Sequence, residues 1–156
     1  MQDEFFMEKG VDHIIESFVG RSGEAYQYLY LYGDTGKTNA VVDRLLNAYS
    51  VSNPLARIQR LTGDTFVDDV ITSIIRGKWQ LFTKLLCACD LLAVSGIEAI
   101  AGKEAPMEQL YCILDNLLER GTPFIVTGTT HPQSISGLAP RIRTILEGAL
   151  IWRVSG

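Results

Sequence analysis

Histidine and cysteine are scarce in this chain of 156 residues, with two of the first and three of the second. The cysteines, Cys87, Cys89 and Cys112, are odd in number, and no secretory n-region precedes them. Reduced thiols in a cytoplasm are therefore expected, not a disulfide framework. His13 and His131 lie far from the cysteines in sequence. Cys-Ala-Cys on a strand would turn both thiols to one face without completing a four-ligand set, so no zinc or other metal site is expected and the thiols are read as core packing. Cations are also in the minority: 14 Lys and Arg face 18 Asp and Glu, for a net charge of −4 and a pI near 5.1. That balance excludes a surface built to neutralise many phosphates of DNA or RNA and leaves room only for local basic patches. Long apolar runs are missing too. "LLCACDLLAVSGIEAIAG" is interrupted by Asp90, Gly96 and Glu98 and falls short of the roughly 20 residues a membrane span needs. It reads as a buried strand with flanks. There is no internal repeat, low-complexity stretch or linker. With 47% hydrophobic and 21% charged residues, the whole of 1–156 is expected to form one globular domain with a substantial core.

What is present is an alternation of strand and helix patterns, the mark of a parallel sheet covered by helices on both faces. "AYQYLYLY" (25–32) is an aromatic-rich strand running into Gly33. "KTNAVVDRLLNAY" follows with Val41, Val42, Leu45, Leu46 and Tyr49 at helical spacing. "ARIQRL" is a short strand. "DTFVDDVITSIIR" is a capped helix with Phe66, Val70 and Ile74 together with Val67, Ile71 and Ile75 on one face. "GKWQLFTKLL" is a shorter helix joined through Gly77, and "DLLAV" the central strand. "MEQLYCILDNLLER" is an amphipathic helix stopped by Gly121. "PFIVTG", "GLAPRIRTIL" and "GALIWRV" complete a strand–helix–strand ending. Five strands with intervening helices are predicted.

The stretch after the first strand, "GDTGKT", carries the Gly36-Lys37-Thr38 end of a phosphate-binding loop. In such a loop, G-x-x-x-x-G-K-[ST], four intervening residues let backbone N–H groups curl around a phosphate before the Lys and the hydroxyl close the site. Here Gly33 stands only three residues before Gly36, and Leu31 occupies the place of the first motif glycine. Two readings follow. In one, Gly33, Asp34, Thr35, Gly36, Lys37 and Thr38 form a weak anion site at a helix N-terminus, which Glu24 could help complete. In the other, Asp34 or Thr35 caps that helix and Lys37 is solvated.

Beyond this loop, the stretch 57–154 resembles the AAA+ core of the bacterial replication initiator DnaA and its shorter relative Hda. "IEAIAGKE" is its most recognisable segment, and "LYCILDNLLERGTPFIVTG", "LAPRIR" and "GALIWRV" keep the family's order and spacing. The resemblance implies a three-layer α/β P-loop NTPase core of AAA+ type with a five-stranded parallel sheet. It also implies ATP or ADP with Mg²⁺ as the ancestral ligand. Against the family's "GGVGLGKT", the loop here is two residues short, roughly 7 Å of contour, and it contains Asp34, whose carboxylate would oppose a polyphosphate.

Other family sites are also replaced. The paired Walker B carboxylates, one of which helps hold Mg²⁺, fall at Ser95 and Gly96, with Glu98 past the strand end. The polar sensor falls at Thr129 and the arginine finger at Ile145, with Arg141 and Arg143 nearby. Of the segments that grip single-stranded DNA, Ile71 and Lys103 are retained, whereas Ala105 and Pro106 replace the expected Arg and Thr. The sequence stops at Gly156, so the helical lid and C-terminal helix-turn-helix are expected to be absent. The resulting expectation is a non-catalytic DnaA-like protein with no resident cofactor and at most weak ATP binding. It would act through a protein partner such as DnaA or another replication protein. Homo-oligomers are compatible with it, Ile145 and Leu146 are candidate anchors, and Ile71, Lys103, Arg141 and Arg143 are candidate DNA or partner contacts. Alternatives are a nucleotide-responsive ATP-binding protein or slow ATPase, and a single-stranded DNA-binding accessory.

Overall fold

The computed structural model describes residues 12–16, 18 and 27–154. Five strands, β1 (Tyr28–Gly33), β2 (Ile58–Thr62), β3 (Leu91–Ser95), β4 (Phe124–Gly128) and β5 (Leu150–Val154), form one sheet in the order β2-β3-β4-β1-β5. Every pairing is parallel, with Tyr30 opposite Val126 on one side and Ile151 on the other. From β1 onward the α-helices are α1 (Thr35–Ser52), α2 (Gly63–Ile75), α3 (Trp79–Cys87), α4 (Glu104–Arg120) and α5 (Pro140–Glu147).

Side-chain alternation in β1 divides the core into two layers. Leu29 and Leu31 point to one face, where they join Val41, Val42 and Leu45 of α1, together with Ile14 and Phe18. Tyr30 points to the other and joins Phe66 and Val70 of α2, Leu86 of α3, Leu110, Ile113, Leu114 and Leu117 of α4, and Ile142 and Leu146 of α5. Both faces are thus covered, which is why the inner strands read as nearly continuous apolar runs. The parallel α/β sheet read from the sequence is the one observed. The predicted strand at 25–32 is seen from Tyr28; residues 25 and 26, like Glu24, lie outside the described residues.

Helix ends follow local chemistry. Thr62 caps α2, its hydroxyl accepting from the Thr65 N–H at 3.1 Å. Gly121 closes α4 in the left-handed region, φ 70°, as its position predicted. The turn between α2 and α3 is a Schellman motif. Gly77, φ 68°, donates to the Ile74 carbonyl at 3.0 Å and Lys78 donates to that of Ser73 at 2.7 Å.

Two expectations are corrected. Cys87 ends α3 and Cys89 sits in the turn before β3, so Cys-Ala-Cys is not on a strand. A short apolar run does not declare its period, and here the helix claims its first part. On α2, the two sets Phe66, Val70, Ile74 and Val67, Ile71, Ile75 are not one buried face: Phe66, Val67 and Val70 are buried, while Ile71, Ile74 and Ile75 are exposed. Amphipathicity finds the stripe but not the number of turns that have something to pack against.

Candidate functional site at the carboxyl ends of β1 and β4

β1 ends at Gly33 and α1 begins at Thr35, so a single residue, Asp34, connects strand to helix. Gly33 makes this junction possible. Its φ is 140°, and a Cβ there would lie 2.3 Å from the Val154 carbonyl oxygen of β5. Asp34 takes the N-cap position. Its carbonyl accepts from the N–H groups of Lys37 (3.0 Å) and Thr38 (2.9 Å), and its carboxylate Oδ1 also accepts from Lys37 N–H at 3.2 Å. A carboxylate is therefore bonded to a first-turn amide of α1, where the dipole favours an anion. Of the two capping candidates, Asp34 is the one used. Thr38 is buried, 1% exposed, and its hydroxyl donates to the Thr35 carbonyl at 3.1 Å.

Beside this junction lies an open cleft of about 500 Å³ whose walls include Asp34, Lys37, Thr129, His131, Ser134 and Arg153. A second carboxylate reaches its edge. Gly96, φ 81°, turns the chain after β3 into a short 3₁₀ turn, Ile97–Ala99, that brings Glu98 back toward β4. The Thr129 N–H donates to both Glu98 oxygens, at 2.6 and 3.2 Å, and the Thr129 hydroxyl lies 3.4 Å from Oε1. Gly128 leaves room for this contact: a Cβ there would meet the Tyr30 hydroxyl at 2.2 Å and Glu98 at 2.7 Å. The Tyr30 hydroxyl donates to the Thr130 carbonyl at 2.7 Å. Burial, reinforced by the negative charge of Glu98 and by Tyr32, holds its pKa far above the usual tyrosine range, so it stays a donor.

Ser95 does not face this cleft. It lines a separate one of about 430 Å³ with Asn39, Asp43, Arg60 and Thr62, in which Arg60 and Asp43 form an ion pair. Its Oγ is buried and has no hydrogen-bond partner. Among the described residues, no three His, Cys, Asp or Glu side chains gather as a metal site.

Residues 10–153 match the Bacterial DnaA ATPase domain. The chain belongs to that family. A chromosomal replication initiator protein DnaA of Acinetobacter baumannii is 34% identical over 116 residues, covering 73% of this chain and 25% of the relative. That of Ralstonia nicotianae is 28% identical over 130 residues, covering 82% and 25%. The chain thus spans about a quarter of the length of these curated relatives. Among solved structures, domain III of the Thermotoga maritima replication initiation protein DnaA superposes with a TM-score of 0.84 at 20% identity, covering 95% of this chain and 62% of that one. The DnaC helicase loader does so at 0.78 and 13%, covering 96% and 90%. The fold is that of an AAA+ core.

Within this DnaA-type domain the remaining sequence-derived positions are dispersed. Arg143, half-buried on α5, donates to the carbonyls of Pro132 (3.1 Å), Ile135 (2.8 Å) and Leu138 (3.5 Å), bracing the loop between β4 and α5. Arg141 stacks over the Tyr111 ring at 4.2 Å. Lys103 donates from Nζ to the Ala99 carbonyl at 2.7 Å. Leu146 is fully buried and Ile145 is half-buried against the same core, so neither presents the free apolar surface expected of an anchor. Ile71 lies exposed on α2. Sequence reasoning missed the reach of Glu98, which it placed beyond the strand end, and the entry of His131 and Arg153 into the cleft. Gly96 between a buried strand and the apolar pair Ile97 and Ile100 was the available signal for a tight turn.

Proposed function

We propose that this DnaA-type domain acts in the control of replication initiation through contacts with other proteins, without hydrolysing ATP. The observation that supports this reading is Asp34. Its carboxylate already caps the helix N-terminus at which a phosphate would be received, and the connection around it is one residue long. The residues present do not fit a Mg²⁺–polyphosphate site. The Thr38 hydroxyl is bonded to a backbone carbonyl, Ser95 faces another cleft, and the Thr129 N–H and hydroxyl meet Glu98. Water activation, metal ligation and charge neutralisation by a finger have no candidate side chains at Ser95, Gly96, Thr129 or Ile145. Among the described residues no helix is long and apolar enough to cross a membrane, and a cytoplasmic setting suits a replication partner.

A second reading has its own support: Lys37, His131 and Arg153 share the cleft, a lining that suits a weakly held anion and hence a nucleotide-responsive protein. Calorimetric titration with ATP and Mg²⁺ separates the two. The first reading expects no heat of binding below tens of micromolar ligand and no phosphate release. It also expects co-sedimentation with full-length DnaA to be the same with and without ATP. Saturable turnover lost in Lys37→Ala would overturn it.

A further inference from the structure

Eight large hydrophobic side chains are exposed among the described residues, and six of them fall between positions 71 and 85: Ile71, Ile74, Ile75, Trp79, Leu81 and Leu85. They are not scattered. Ile71, Ile74 and Ile75 are spaced i, i+3, i+4 in the last turns of α2, where they continue the stripe of Phe66, Val67 and Val70 past the point at which it is buried. Leu81 and Leu85 are spaced i, i+4 on α3, on a different side of the helix from the buried Leu86. The Schellman turn through Gly77 joins the two helices, so the end of one stripe and the start of the other are held together by backbone hydrogen bonds. A concentration of this kind on two consecutive helices marks an interaction surface more often than chance exposure does.

The charge around it is equally uneven. From position 70 to 89 the chain has no Asp or Glu and three cations, Arg76, Lys78 and Lys84, in a protein whose net charge is −4. All three are exposed. The ion pairs among the described residues, Arg44 with Asp12 and Arg60 with Asp43, involve none of them. An apolar strip edged by unpaired cations is complementary to an amphipathic helix whose apolar face is flanked by carboxylates. Nucleic acid is the poorer match. Five of the six exposed apolar side chains are aliphatic and offer no face for base stacking, and Asp68, exposed one turn before Ile71, would stand against a phosphodiester backbone.

We propose that the outer face of α2 and α3 is a docking site for an acidic amphipathic helix of a partner protein. This deepens the proposed action through protein contacts and names the surface that carries it; the anchors are then Ile75 and Leu85, 79% and 61% exposed, not Ile145.

The test uses synthetic peptides of about 18 residues, five helical turns, with leucine along one face and flanks of either glutamate or lysine. Binding is read by fluorescence anisotropy against the full chain. The glutamate-flanked peptide is expected to bind at least tenfold more tightly than the lysine-flanked one, and to weaken with salt. The double variant Lys78→Glu, Lys84→Glu should reverse that preference. Ile75→Asp with Leu85→Asp should abolish binding without changing the melting temperature, since both side chains are exposed. Equal binding of the two peptides, or none at high micromolar concentration, overturns the proposal. So does tighter binding of a single-stranded oligonucleotide that is lost in the same charge variant. Self-association on sedimentation that Ile75→Asp dissolves would assign the face to a second copy, and overturns it too. Failure here leaves the ATP titration untouched, and turnover found there would leave peptide binding standing, so the two readings fail separately.

Discussion

Replacing Asp34 separates what its shape does from what its charge does. As an N-cap its oxygen satisfies the Lys37 N–H, and removing such a cap costs about 0.5–2 kcal/mol. Its backbone angles, φ −58° and ψ 131°, are ordinary for alanine, so Asp34→Ala adds no strain and exposes the cap term alone. For a domain of this size about 1 kcal/mol corresponds to roughly 2–4 °C in melting temperature, which puts Asp34→Ala some 1–8 °C below the parent. Asparagine caps about as well as aspartate. Asp34→Asn should lose only the charge–dipole part, about 0.3–1 kcal/mol. Against a phosphate the order reverses. A carboxylate about 4 Å from a phosphate oxygen opposes it by about 1 kcal/mol even at the dielectric of water, so both variants should bind ATP at least about fivefold more tightly than the parent. Thermal unfolding with and without millimolar ATP reads both quantities in one experiment. The parent should not respond to ATP, Asp34→Asn should be slightly less stable and respond, and Asp34→Ala should be least stable and respond. An unchanged melting temperature in Asp34→Ala would refute the cap. A parent that binds ATP as tightly as Asp34→Asn would refute the charge argument.

Phosphate release measured with Mg²⁺ and millimolar ATP should stay at the buffer blank, in the parent and in Lys37→Ala alike. Arg143→Ala should be strongly destabilising, by about 1.5–3 kcal/mol in denaturant unfolding, because it strands carbonyls that a charged donor satisfies; Arg143→Met, which keeps the stem, should recover little. Thiol labelling should modify exposed Cys112 first. Burial raises the Cys87 and Cys89 thiols and the Tyr30 hydroxyl above their ordinary ranges. Folded-state values above the unfolded ones mean stability that is complete below about pH 9 and declines as pH rises past it. A melting temperature that increased between pH 9 and 11 would contradict those assignments.

Elements were legible wherever one periodicity ran unopposed. β1 announces itself by alternating leucine and tyrosine, and α4 by its stripe and its terminal glycine. Ambiguity appeared where two structures compete for the same apolar residues, as at Cys87 and Cys89, which the sequence lends equally to a helix end or a strand start. The site was legible in its residues but not in its contacts. That Asp34 stands in a shortened loop is a matter of counting, whereas its bond to Lys37 N–H depends on the helix beginning at Thr35. Glu98 lies past the strand end along the contour, and a left-handed Gly96 shortens its distance to β4 in space without changing that contour. The arginines of α5 show the same limit from the other side. Arg141 and Arg143 are two residues apart and identical in type, yet one lies on a tyrosine face and the other is turned into three carbonyls.

The direct passage from β1 into α1 has a mechanical consequence. A loop of several residues is slack that lets a helix shift while its strand stays in register. With Asp34 alone between them, and Gly33 seated against the Val154 carbonyl, α1 cannot tilt or slide without pulling on β1, which is paired on both sides. The first turn of α1 should therefore belong to the same cooperative unit as the centre of the sheet. In native-state hydrogen exchange the Thr38 amide would be released only with those of Tyr30 and Val126, in global unfolding, and not in the local opening typical of a helix beginning.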